Sequence, residues 1–315
     1  MAEHPVQVFV YGLLVNCGIL GNALVIWIAA DSTRENRYLA SSDLILMNIA
    51  GANLLLSLTR NTLLLTFDAG YTVSFSDVGC RTMMFIWTWL RSSSIWVTLS
   101  LSLFHFITIR TSRTALERLN ERRKVAKAMV IEWALSFVYS SFALCYSSNT
   151  KTNSTNNLML ISSTIRPLLG CVWTFPNDVS GLIYTMVSVV IHEAIPITRM
   201  IFANFATLLF LYNHYRKTQD AMFNKQISTE WKAAKTILYL ILLFIFCWGT
   251  HVFSVNYYNF KGSPSTRYML IIAWFSASGF LGFYPLVVAT GHGKLRRKMA
   301  NIFRFGWLKF PSQSN

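Results

Sequence analysis

The chain of 315 residues is 53% hydrophobic and only 13% charged, with a mean hydropathy of +0.41 and a formal net charge of +15. Soluble domains carry about 25% charged residues, so this composition excludes a water-soluble globular protein, whose surface so few charges could not cover. The basic excess has to be assigned to the sides of a membrane before it is taken for a nucleic-acid patch, and no nucleic-acid partner is expected.

A membrane-crossing helix needs about 20 mostly apolar residues. Seven runs meet that length: 7–30, 41–65, 81–109, 125–147, 182–212, 233–256 and 268–289. They predict an all-α seven-transmembrane helix bundle over residues 1–290, followed by a tail, 291–315. No internal repeat is visible, which argues against transporters built from duplicated halves. Segments 31–40, 110–127, 213–235 and 290–315 hold 20 of the 28 Lys and Arg; the N-terminus and the other three loops hold four. The positive-inside rule then sets the N-terminus outside and the C-terminus in the cytoplasm. With about six residues ahead of the first run and no basic n-region, the first helix is expected to serve as its own insertion signal.

In chain order, the first run carries Asn22 in "GILGNALVI" and the second Asn48 and Asn53 in "NIAGANLL", then Arg60. The third opens at Cys80, passes Trp87, Thr88 and Arg91, and nears its end at His105 in "FHF". From Cys80 to His105 is roughly 37 Å of helix, enough to cross the hydrocarbon layer. The second outer loop holds Cys171 and the sequon Asn153-Ser154-Thr155, a glycosylation candidate on the side that charge counting places outside. A Cys80–Cys171 bridge there would pin the loop over the mouth of the bundle, with free thiols or other partners as the alternatives. The fifth run holds His192, Glu193 and Pro196, and the sixth "FIFCWGT" with Trp248. The seventh holds "YPLVV" with Pro285. In the tail, Leu295, Met299, Ile302 and Phe303 share a helical face among basic residues, the pattern of an amphipathic helix lying on membrane lipids.

These features resemble the rhodopsin-like G-protein-coupled receptors. That family has the Gly-Asn pair of helix one, the Asn-Leu-Ala-x-Ala-Asp pattern of helix two and a helix-five proline. It also has a Phe-x-x-Cys-Trp-x-Pro switch, and a helix-three cysteine bridged to the second outer loop. The chain departs from the pattern at several points. Asn53 stands where a sodium-binding aspartate is usual, which removes most of the reason for a hard cation to bind there. Thr250 replaces the switch proline, and the Asn-Pro-x-x-Tyr motif of helix seven is reduced to Pro285. His105 stands about where the family's Asp-Arg-Tyr arginine falls, with simple satisfaction by a neighbouring helix as the alternative role.

Together the departures resemble the vomeronasal type 1 receptors and their fish relatives, the olfactory receptor class A-like proteins, on "GANLLLS", "LSLFHFITI", Cys80 with Cys171, and "EWKAAKTILYL". Bitter taste receptors are the competing resemblance, on the helix-three ending and "SSDLIL". The vomeronasal-like resemblance implies a chemosensory receptor of the plasma membrane. It would take a small organic ligand in the outer half of the bundle and activate a heterotrimeric G protein, with Arg110, Arg113, Arg216 and Lys217 facing that protein.

Charged residues at bilayer depth cost about 2.5 kcal/mol or more unless they face the bundle interior. Arg60 and Arg91 each fall on an inward face, and Glu193 can neutralise only one of them. The surplus charge points to a ligand with an acidic or strongly accepting group, held by Arg91 together with Arg60 and packed on Trp87, with Thr88, His192, Glu193 and Trp248 around it. A buried ionic network of Arg60, Arg91 and Glu193 with no ligand role is the alternative. An intramembrane enzyme would need clustered His, Asp or Glu. Only His192–Glu193 comes near, and adjacent residues of a regular helix point to different sides, so no catalytic residue, metal or cofactor is expected.

Overall fold

The computed structural model describes residues 5–36, 40–110, 115–149, 171–217, 221–261 and 268–291. Among the described residues, seven helices are long and apolar enough to cross a membrane. They are α1 (Pro5–Asn36), α2 (Ser41–Asp68), α3 (Asp77–Arg110), α4 (Ala115–Ser140, continued by Phe142–Tyr146), α5 (Asp178–Lys217), α6 (Ala221–Lys261) and α7 (Tyr268–Gly291). Several overrun their apolar windows because a helical hydrogen-bond ladder continues through polar residues at the membrane face. Large apolar side chains such as Phe202 (71% exposed) and Phe246 (72%) point outward, as lipid-facing positions do. The interior is filled by Tyr11, Phe244, Trp248, Phe280 and Tyr284. Helix α3 runs along the centre, with buried side chains from Cys80 to Ser102.

One pair of prolines shapes the interior. Pro285 lies inside α7 and has no N–H to give to the carbonyl of Leu281. Asn22 of α1 donates to that carbonyl at 2.9 Å and to its own Gly18 carbonyl at 2.6 Å, so the freed acceptor is satisfied across the helix pair. The backbones approach closely there: a Cβ on Gly282 would lie 2.6 Å from Leu14 and 3.1 Å from its carbonyl oxygen. In α5, Pro196 likewise withholds an N–H from His192, and the ladder slips into a π-helical turn at Val190–Ala194. A second π turn, Ser57–Asn61, interrupts α2. It is marked by side-chain bonds to the backbone, Thr59 Oγ1 to Leu55 O at 2.7 Å and Thr62 Oγ1 to Ser57 O at 2.9 Å.

A two-stranded antiparallel hairpin, absent from the sequence reading, closes the end opposite the basic loops. Its strands are β1 (Ser147–Asn149) and β2 (Cys171–Trp173), with Asn149 opposite Cys171. Cys80 and Cys171 are disulfide-bonded with Cα atoms 5.2 Å apart, the pairing anticipated from their positions. Arg81 Nε donates to Ser147 O at 3.2 Å, and Asp77 Oδ1 accepts from Asn149 N at 2.9 Å. The hairpin is thus riveted to the first turns of α3. Asn153 and Arg113 lie outside the described residues, as does the tail from 292 onward.

Candidate ligand site

Below the hairpin, four helices bring cations and indoles into one layer. The Arg60 guanidinium of α2 lies 4.2 Å from the ring centroid of Trp87 on α3. The Trp87 and Trp248 rings are 6.5 Å apart, and Arg91 lies 4.7 Å over Trp248 of α6. Arg91 then pairs with Glu193 of α5, both fully enclosed. The order across the bundle is therefore cation, indole, indole, cation, carboxylate. Each desolvated cation–π contact is worth about 2 kcal/mol, which helps offset the burial of two guanidinium groups.

The two arginines differ in their partners. Arg91 is held by a carboxylate. Arg60, 2% exposed, forms no ion pair with any described residue. Its Nη1 donates to Asn61 Oδ1 at 3.0 Å, which also accepts from Ser278 Oγ at 3.1 Å. Ser278 Oγ in turn lies 3.1 Å from the Tyr11 hydroxyl. The three-residue network of Arg60, Arg91 and Glu193 is therefore not closed: the surplus positive charge sits at Arg60, on neutral partners.

The π turns explain why neighbouring residues face inward together. A regular helix would separate His192 from Glu193 by about 100°, the basis for expecting them on different sides. That expectation fails. The turn forced by Pro196 widens the ring, and both side chains line the same cavity with Thr88, Arg91, Ser92 and Tyr139. The α2 turn does the same for Arg60 and Asn61, both buried. Nδ1 of His192 lies 2.8 Å from Ser92 Oγ and 3.3 Å from the Trp96 indole N–H, which can only donate, so Nδ1 is the acceptor. The Tyr139 ring stacks on this imidazole at 3.7 Å, and its hydroxyl bonds to Ser188. Thr88 is buried, but its hydroxyl is engaged with its own helix, at Met84 O. Trp248 Nε1 is buried with no hydrogen-bond partner among the described residues. The cavity itself is about 10 Å³, roughly one water. Among the described residues no group of three His, Cys, Asp or Glu could hold a metal.

Sequence reasoning missed Asn61, Ser278, Tyr11 and Tyr139, uncharged residues that no charge count picks out. It also missed Glu132, an acid inside the apolar run "VIEWALSF", which accepts a hydrogen bond from Ser100 of α3. Of the signalling candidates, Asn53 is fully buried and accepts from Ser94 Oγ at 3.4 Å. His105 is half-buried against Phe104 and forms no hydrogen bond with a described residue. Arg110 is exposed, with its guanidinium 4.9 Å from Phe106 and 5.9 Å from Phe210 of α5. Arg216 and Lys217 end α5, their side chains outside the described set.

Seven membrane-length helices, a cystine from helix three to the following outer hairpin and a buried polar layer beneath it define a seven-helix membrane receptor of the rhodopsin type. The chain belongs to the 7 transmembrane receptor (rhodopsin family), whose model matches residues 21–284. Within that family it is similar to the olfactory receptor class A-like protein 4 of Danio rerio, 39% identical over 95% of this chain and 90% of that protein. More distant likenesses are to galanin receptor type 1 of Rattus norvegicus, 23% identical over 96% of this chain and 83% of that one, and to taste receptor type 2 member 7 of Macaca mulatta, 24% identical over 90% and 88%. The protein is a multi-pass receptor of the plasma membrane and not an enzyme.

Proposed function

We propose that this receptor is chemosensory, of the olfactory and pheromone type. In this reading it binds a small organic molecule bearing an acidic or strongly accepting group and activates a heterotrimeric G protein. The observation that carries the ligand chemistry is Arg60: a buried guanidinium over Trp87 with no carboxylate partner among the described residues. An incoming acceptor completes its coordination, and the ligand's apolar part packs on the two indoles. Arg91, already joined to Glu193, becomes the second contact rather than the first. A site of ordinary size needs about 300 Å³ or more, so binding parts the Trp87–Trp248 layer or swings Tyr139 aside.

The basic end of the bundle supplies the G-protein face, with Arg110, Arg113, Arg216 and Lys217 as contacts. The Trp248 indole beneath Arg91 links ligand to helix α6, while Asn53 and His105 lie along the path to that face. The chemosensory role is supported by the likeness to the Danio rerio protein. The test is a calcium-response screen of cells expressing the receptor with a broadly coupling G protein, against small organic acids, amines and neutral steroids. Acids should dominate the active set. A set made of amines, or of neutral steroids, would overturn the ligand reading.

A further inference from the structure

At the basic end, away from the polar layer, a groove of about 590 Å³ opens between α2, α3 and α4. Its walls are apolar: Leu103, Phe104 and Ile107 of α3 face Val125 and Met129 of α4, with the buried Ile45 of α2 behind. Leu103 and Ile107 are 37% and 51% exposed, so the groove opens on the outer surface of the bundle, where acyl chains lie. Ala128 leaves the α4 wall low enough for something to enter. The groove runs along α3 from Ile107 to Ser100, roughly 10 Å at 1.5 Å per residue. That is two-thirds of one leaflet's hydrocarbon depth of about 15 Å.

The mouth is charged. Lys124 lines it, is exposed, and forms no ion pair with a described residue. Glu121 also lines the mouth and already has an interaction of its own. Arg122, Arg123 and Lys127 on the same stretch of α4 outnumber that one acid. An apolar slot of acyl depth, topped by an available ammonium among other cations, matches a molecule with an anionic head and a hydrocarbon chain.

We propose that the groove holds one anionic glycerophospholipid of the cytoplasmic leaflet, its phosphate at Lys124 and an acyl chain along Leu103, Phe104 and Ile107. The inference is independent of the ligand reading, since no groove residue belongs to the Arg60–Glu193 layer. The experiment is native mass spectrometry of the purified full-length receptor in mixed micelles. Phosphatidylglycerol and phosphatidylcholine of identical acyl composition would be offered in equal amounts. One phosphatidylglycerol should be retained in preference. Lys124→Gln should lower that preference about fivefold, the effect of one lysine near an anionic surface. Arg34→Gln, at the same end on α1, should leave it unchanged. Equal retention of the two lipids, or an unaltered preference in Lys124→Gln, would overturn the proposal. A second measurement does not depend on a bulky variant folding. With Ala128→Cys, phosphatidylglycerol should slow maleimide labelling relative to phosphatidylcholine, and equal rates would count against the site.

Discussion

The guanidinium of Arg60 lies 4.2 Å above the Trp87 ring and finds only the neutral Asn61 at its edge, so a full positive charge is buried in the bundle without a carboxylate. Arg60→Ala should therefore weaken the response to an acidic agonist more than any other single change in the layer. A charge-assisted hydrogen bond from guanidinium is worth about 1.5–3 kcal/mol, which is ten- to hundredfold in half-maximal concentration. Arg60→Lys keeps the charge but loses the planar fork over the indole, and should fall between. Dose–response curves normalised to surface expression check this. An unshifted curve in well-expressed Arg60→Ala would remove Arg60 from the ligand site.

Arg91 and Glu193 should behave as one structural unit. Breaking a buried pair from one side costs about 3–5 kcal/mol, because the remaining charge is stranded. Glu193→Leu and Arg91→Met should each lower surface expression sharply, and the double variant should recover most of it. Flow cytometry of an epitope-tagged receptor measures the result. Losses that simply add would show that the two side chains are not coupled.

Pro196 offers a separate handle on the same pair. Pro196→Ala restores an N–H opposite the His192 carbonyl and removes the reason for the π turn at Val190–Ala194. In a regular helix His192 and Glu193 diverge, so the buried ion pair with Arg91, the costlier of the two to break, is kept and the stack of His192 on Tyr139 is lost. The variant should therefore express, yet lose agonist response. Normal signalling would mean that the turn is held by packing and not by proline.

The seven helices were legible because lipid demands long apolar runs, and the charge bias of the loops separated the two ends. The Cys80–Cys171 tether was legible from two cysteines at one face. What the sequence hid was side-chain direction. A 3.6-residue period puts His192 and Glu193 on different sides, and only the backbone consequence of Pro196 reverses that. The division of labour between the arginines was hidden for a related reason. Counting charges predicts one surplus cation, but the choice of Arg60 depends on which guanidinium the α5 turn aims Glu193 toward. Residues such as Asn61 and Ser278 were invisible because a neutral polar side chain in a helix leaves no period or charge signature.

The tether itself should matter more for folding than for ligand contact. Closing a loop of about 90 residues restricts the unfolded chain by about 4–5 kcal/mol in the chain-entropy account, and the hairpin it holds also anchors through Arg81 and Asp77. Cys80→Ser and Cys171→Ser should reduce surface expression to the same degree, with no further loss in the double variant. A double variant much worse than either single one would show that the cysteines act separately.

The inner end of α3 poses the last question, because His105 stands about where the wider family's arginine switch falls, while Arg110 is the cation that reaches across to another helix. His105 is half-buried beside Phe104 and bonds to no described residue, whereas Arg110 sits against Phe106 and within 5.9 Å of Phe210 on α5. A cation–π contact at an exposed site is worth about 0.5–1 kcal/mol, enough to bias a two-state equilibrium two- to fivefold but too little to lock it. If the α3–α5 contact restrains the inactive state, Arg110→Gln should raise basal G-protein turnover by that factor. It should also lower the agonist-stimulated maximum, since Arg110 is one of the proposed G-protein contacts. Phe210→Leu separates the two roles: it removes the aromatic partner but leaves the charge, so basal activity should rise with the maximum intact. His105→Ala should change basal or maximal turnover while leaving ligand affinity near wild type. Nucleotide-exchange assays on membranes, at matched receptor density, read all three variants. Unchanged turnover in His105→Ala would leave that histidine a packing residue, and unchanged basal turnover in Phe210→Leu would remove the α3–α5 contact from the switch.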